Sequence, residues 1–176
     1  MSGLTNIIPI SITIISSIAF ATDVFSGRIF NWLTFPAIFF GLIAVFAMSG
    51  GSALLNSALG AVTALILFGF LFFFKFIGGG DVKFLMALGA WGGFHFTLEV
   101  ALLSILLGGI MAIIILIFRG RALDFALRMH QFLLSVFVKE FEIEKPQFDS
   151  KHQMPFGIPM AIAAIFLTWK GPLWFT

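Results

Sequence analysis

Eight residues of the chain are acidic, and only Asp23 and Asp81 fall at the edge of an apolar run beside a short connection. A carboxylate kept charged at the edge of a hydrocarbon layer costs about 3 kcal/mol on insertion scales, so such a residue is by default a functional candidate. Two of them at one depth have a defined chemistry. An ionised carboxylate takes a proton from water while a protonated partner polarises a carbonyl, the minimal apparatus for hydrolysing an amide. Like charges a few Å apart do not both ionise cheaply, so the pair titrates as a unit. Gly78, Gly79 and Gly80 run directly into Asp81, with Val82 and Lys83 behind it. Their bare backbone can offer N–H and C=O groups to an extended peptide, as strand pairing does. The same residues also fit an ordinary inter-helix turn with an N-cap aspartate, and Asp23 fits a simple boundary residue.

Other chemistries find little support. The chain has no cysteine, which excludes disulfides, zinc-thiolate centres and a thiol nucleophile. His95, His130 and His152 are isolated from one another, so no metal centre is expected. Neither a phosphate-binding Gly-Lys-Ser/Thr loop nor a serine nucleophile context is present. Glu140, Glu142 and Glu144 read as a solvated acidic face.

The elements that must position the aspartates are membrane helices. Hydrophobic residues make up 60% of the chain and charged residues 10%, against about 45–50% and roughly 25% in ordinary globular domains. The expected fold is an all-α integral membrane protein, one domain over residues 1–176. At about 20 residues per crossing, the apolar runs give six transmembrane helices: Leu4–Thr22, Trp32–Ser49, Ala53–Ile77, Val82–Phe94, Leu98–Phe118 and Met154–Leu173. The first run carries no basic n-region, since no Lys or Arg precedes Arg28, and so does not read as a signal peptide. Val82–Phe94 is short for a crossing. Counting it as one places Arg28, Lys75, Lys83 and the basic stretch after Phe118 on one side, with Lys170 opposite. The positive-inside rule then sets the N-terminus outside and both aspartates at the cytoplasmic face. Gly89 and Gly93, four apart, are expected to let the short helix pack closely on a neighbour.

Residues 119–153 form the only polar insert. Leu123, Leu127, Leu134 and Phe137 recur at helical spacing among Arg121, Asp124 and Arg128. That pattern predicts a cytoplasmic amphipathic helix on the inner leaflet. Ten cations spread over the chain give no nucleic-acid footprint.

Three stretches together resemble the type IV prepilin peptidases, within the wider GxGD class of intramembrane aspartyl proteases. Gly78-Gly79-Gly80-Asp81 with Val82-Lys83 is similar to the GxGD motif. Asp23 followed by Arg28, Ile29, Asn31, Trp32, Leu33 and Thr34 resembles the family's first-aspartate region, and Pro155-Phe156-Gly157 its Pro-Tyr-Gly segment. Phe30 stands where the family has Pro, and Phe156 where it has Tyr.

The resemblance implies that Asp23 and Asp81 are the catalytic pair. Gly78, Gly79, Gly80, Lys83, Arg28, Asn31, Pro155 and Gly157 are then binding or supporting residues, with no cofactor. The implied substrate is a prepilin precursor with a basic leader, a glycine and then an apolar helix, cut after the glycine at the cytoplasmic side of a bacterial inner membrane. Long members of the family carry Cys-x-x-Cys motifs associated with zinc and N-methylation. This chain lacks them and resembles the short peptidases of tight-adherence (Flp-type) pilus systems, so cleavage without methylation is expected. A preflagellin peptidase is a rival within the class. Outside it, Asp23 and Asp81 would pair with Lys83 or Arg28 to hold helices together in a non-enzymatic subunit or small transporter.

Overall fold

The computed structural model describes residues 7–74, 76–118 and 156–170, and every element among them is helical. In chain order these are α1 (Ile7–Ser26), α2 (Asn31–Phe73), α3 (Gly79–Phe118) and α4 (Gly157–Lys170). Residues 1–108 with 153–176 form one compact unit and 109–152 a second; of the latter, only the end of α3 is described. The predicted amphipathic insert, His130, His152 and Pro155 lie outside the described residues.

Three helices, α1, α2 and α3, are long and apolar enough to cross a membrane. Their outward faces carry bulky apolar side chains such as Phe39, Phe46, Leu59, Phe70 and Ile113, as a helix facing acyl chains requires. The protein is therefore a multi-pass membrane protein. Several hydroxyls inside these helices are satisfied locally: Thr13 Oγ1 donates to the Pro9 carbonyl at 2.8 Å, and the buried Thr97 Oγ1 to the Gly93 carbonyl at 2.7 Å. With no water in the hydrocarbon layer, a hydroxyl must find its partner on its own helix or a neighbour.

The first two helices of the sequence-based count map onto α1 and the start of α2, but the boundaries shift. α1 runs through Asp23 to Ser26, so Asp23 lies inside the last turn and not beyond it. α2 and α3 contain 43 and 40 residues. Straight helices of that length would measure roughly 60 Å or more, about twice a hydrocarbon core. Each is broken at one residue, α2 at Gly50 (φ 79°, ψ −167°) and α3 at Gly93 (φ 81°, ψ −172°). That region of backbone space is essentially closed to residues with a Cβ. The Gly50-Gly51-Ser52 turn expected from sequence is thus a one-residue break, and so is the connection after Val82–Phe94.

The second arm of α2 crosses α3 through glycines. A methyl group at Gly60 would lie 2.6 Å from the Gly93 carbonyl carbon and 2.7 Å from the Gly89 carbonyl oxygen. The neighbour expected for Gly89 and Gly93 is therefore Gly60. Asn56, one turn earlier, accepts the Phe94 N–H at 3.2 Å through Oδ1 and caps the second arm of α3. On the other side of the break, Trp91 lies across Gly41 and donates Nε1–H to the Ala37 carbonyl at 2.9 Å, tying the first arms of α2 and α3 together. Gly60→Val forces backbone against backbone. It is expected to destabilise the protein by at least about 1–3 kcal/mol, the usual range for overpacking, read as lower thermal stability and yield in detergent. Unchanged stability would show that the crossing is not close.

α1 packs antiparallel along α4. Its buried stripe, Ile12, Ile15, Ser16, Ala19 and Asp23, follows helical spacing, and α4 buries Met160, Ala161, Ala163, Ala164 and Leu167. Small residues on both stripes permit close approach. Trp169 Nε1–H donates to Thr13 Oγ1 at 3.1 Å at one end of the pair. At the other end lies Asp23.

Candidate active site

The site is built where α1 ends and α3 and α4 begin. The Gly27 N–H donates to the Asp23 carbonyl at 2.8 Å and closes α1. Asp23, on the buried stripe, is 4% exposed, and its Oδ2 accepts the Ile158 N–H at 3.1 Å. The aspartate thereby satisfies one of the first-turn donors of α4 that have no partner within their own helix.

Asp81 is the third residue of α3 and 7% exposed. Its Oδ2 accepts the Gly78 N–H at 3.0 Å. This is the returning half of a capping box, in which the third helical residue reaches back to the cap position. The N-cap role considered for Asp81 from sequence falls instead to Gly78. Gly79 and Gly80 are likewise helical and not an extended tract, so they present first-turn N–H donors to the site in place of a strand-like edge.

Asp23, the turn Gly27-Arg28-Ile29, Gly78, Gly79, Gly80 and Asp81 line a single cavity of about 250 Å³. At about 30 Å³ per water it holds several waters, and it is smaller than the 300–1,000 Å³ typical of sites for compact ligands. Its chemistry is two nearly buried carboxylates, Asp81 held by the Gly78 N–H and Asp23 by the Ile158 and Gly157 N–H groups, beside the first-turn N–H groups of α3 and one exposed guanidinium.

Of the residues singled out from sequence, Asp23, Asp81, Gly78, Gly79, Gly80 and Arg28 meet at the cavity, and Gly157 abuts Asp23. Lys83 and Asn31 stand apart from its lining. Lys83 Nζ donates to Asn31 Oδ1 at 2.9 Å and lies 5.0 Å from the centre of the Phe35 ring, joining the starts of α2 and α3. Lys83→Met is expected to lower stability by about 0.5–1.5 kcal/mol, the net worth of such a hydrogen bond, read as a lower thermal midpoint in detergent. Unchanged stability would show that the Lys83–Asn31 bond does not hold the two helix starts together.

Ile29 was not among the sequence-based site residues, although it is buried and lines the cavity. The signal that could have found it is its place between Arg28 and Asn31 in the stretch that resembles the first-aspartate region. Glu99 is 3% exposed within α3 and does not line the cavity. The two departures from the resembled pattern also have physical accounts. Phe30 holds φ −81°, close to the range a proline imposes, and stacks on Trp32. Phe156 sits edge-on to the buried Phe68 at 5.7 Å and covers Gly108, an apolar setting. Among the described residues, no group of three or more His, Cys, Asp or Glu could hold a metal ion.

In this multi-pass helical membrane protein, two nearly buried carboxylates thus line one cavity with room for several waters. Residues 10–113 match the model of the type IV leader peptidase family, more than half of the 176 residues. The chain belongs to that family, a family of aspartic peptidases. No curated protein and no solved structure matches it. The matched stretch includes Asp23 and Asp81 and ends before α4.

Proposed function

We propose that the protein is a membrane aspartyl endopeptidase that removes the leader of Flp-like prepilins after a glycine, at the cytoplasmic face of the bacterial inner membrane, without N-methylation. The observation that carries this reading is the convergence of Asp23 and Asp81 on one cavity walled by Gly78, Gly79 and Gly80. A helical substrate hides its carbonyls in i to i−4 bonds, so the scissile peptide must unwind beside the first turn of α3. One carboxylate then takes the proton of the attacking water, and the other protonates the departing amine. The first-turn N–H groups of Gly79 and Gly80 are suited to receive the substrate carbonyl, since α3 itself gives them no partner.

The breaks at Gly50 and Gly93 support a six-crossing topology, because each divides an overlong helix into arms nearer one bilayer thickness. The positive-inside distribution supports an external N-terminus and a cytoplasmic site, within one domain over residues 1–176. The helix-pairing alternative loses its partners. Lys83 is committed to Asn31, and among the described residues neither aspartate forms an ion pair.

The test is incubation of the detergent-purified protein with a prepilin precursor, followed by mass analysis. A shortened product beginning just after the glycine, with an unmodified amino group, is expected. An intact precursor under conditions where the protein remains folded would overturn the reading, and a methylated product would overturn its second part.

A further inference from the structure

We infer that Ile29 is a positioning residue: a wedge between the N-termini of α3 and α4 whose side chain sets the distance between the Asp23 and Asp81 carboxyl groups. Its role in turnover rests on the reading of those two aspartates as the reacting pair; its role in spacing does not.

Ile29 belongs to no helix. It lies in the short turn between α1 and α2, is 8% exposed and lines the cavity. Two glycines from different helices are pressed against it. On one side, a methyl at Gly80 would lie 3.0 Å from the Ile29 carbonyl oxygen and 3.3 Å from its Cβ, so the first turn of α3, which carries Asp81, rests on the wedge's backbone. On the other side, a methyl at Gly157 would lie 2.7 Å from Ile29 Cδ1 and 2.7 Å from Asp23 Oδ2. The first turn of α4 is thus seated on the tip of Ile29 and on the Asp23 carboxylate together, one residue before the N–H that holds Asp23 Oδ2.

The two faces of Ile29 therefore touch the two structures that fix the two carboxylates. Shortening its tip opens space on the α4 side and leaves the α3 side unchanged, because the Gly80 contacts are to backbone and Cβ. Close-packed interiors relax toward such space. The Ile158 N–H, and with it Asp23, is then free to shift relative to Asp81. A misplacement of about 1 Å at a reacting group costs on the order of a hundredfold in rate.

The chain has no cysteine, so spacing can be read without activity. In a Gly79→Cys/Ile158→Cys variant, which keeps both aspartates and their backbone donors, thiol-reactive bifunctional reagents of graded length report the separation of the first turns of α3 and α4 that hold the two carboxylates. The expected result is that Ile29→Ala or Ile29→Val changes the ratio of short-reagent to long-reagent crosslinking by threefold or more. In the chain without these cysteines, Ile29→Val is expected to lower kcat for precursor cleavage about tenfold with KM within twofold. Val45→Ala, an equally buried truncation in α2 away from the cavity, should leave kcat within twofold and thereby separates spacing from general loss of packing. Ile29→Val keeps the β-branch and most of the volume, so the test stands even where Ile29→Ala fails to fold. An unchanged crosslinking ratio in Ile29→Val overturns the wedge. An altered ratio in a protein whose unsubstituted form cleaves no precursor supports the wedge and sinks the peptidase reading instead.

Discussion

Asp81→Asn is expected to lower precursor cleavage by about 10²–10⁴-fold, the usual worth of a positioned acid or base, while the protein remains folded and inserted in the membrane. Asparagine has the shape of aspartate, and its amide oxygen still accepts the Gly78 N–H, so the returning half of the capping box and the start of α3 survive. What is lost is the capacity to carry a proton between water and the leaving amine. Asp23→Asn should do the same, with its oxygen still accepting the Ile158 N–H of α4. Because the two carboxyl groups act as one unit, the double variant is expected to be no slower than the slower single variant. Initial rates in detergent give the comparison, with yield and helical circular dichroism as controls for folding. A single variant retaining more than about a tenth of the activity would remove that aspartate from the reaction.

Much of this site was legible in the chain because carboxylates at membrane edges are costly and therefore rare. Asp23 and Asp81 stood out on that ground, and the glycines before Asp81 marked a place of close backbone approach. The helical class followed from composition. The limits of the helices were less legible. Apolarity fades gradually at a membrane edge, so nothing in Val24, Phe25 and Ser26 announced that α1 continues past Asp23, and three successive glycines gave no hint that two of them begin α3. The breaks at Gly50 and Gly93 could be placed only to within a few residues, because positive φ at one glycine is a property of backbone geometry that a neighbouring glycine could equally supply.

Contacts across the chain were the least legible. Lys83 follows Asp81 by two residues and read as part of the site through the resemblance of that stretch to the GxGD motif. Yet on a helix a residue two positions on points away from its neighbour, and its ammonium is taken by Asn31, 52 residues distant. Ile29 was the reverse case. An isoleucine is ordinary in any membrane protein, and only the arrival of Gly80 and Gly157 from two other helices gives it a task. The same holds for α4, which lies beyond the stretch that matches the family model and still supplies a donor to Asp23.

That contribution of α4 carries the second large effect, expected for Gly157→Ala. At the first position of a helix, alanine in place of glycine ordinarily adds stability, by up to about 1 kcal/mol in an exposed interior position. Here the new methyl would lie 2.7 Å from Asp23 Oδ2, 3.0 Å from its Cγ and 2.7 Å from Ile29 Cδ1. Something must give, and the carboxylate is the terminal group of a side chain held only by the backbone N–H groups of Ile158, at 3.1 Å, and of Gly157 itself. Displacing it moves one member of the pair and leaves both chemically intact. Turnover is therefore expected to fall on the order of a hundredfold, as displacements of about 1 Å do, with the protein still expressed and folded. Gly69→Ala provides the contrast, because a methyl there meets only Leu65 Cδ1 at 3.9 Å, and its activity should equal that of the unsubstituted protein. Normal turnover in Gly157→Ala would mean that α4 can withdraw from Asp23 without consequence, and the first turn of α4 would then have no part in holding the pair.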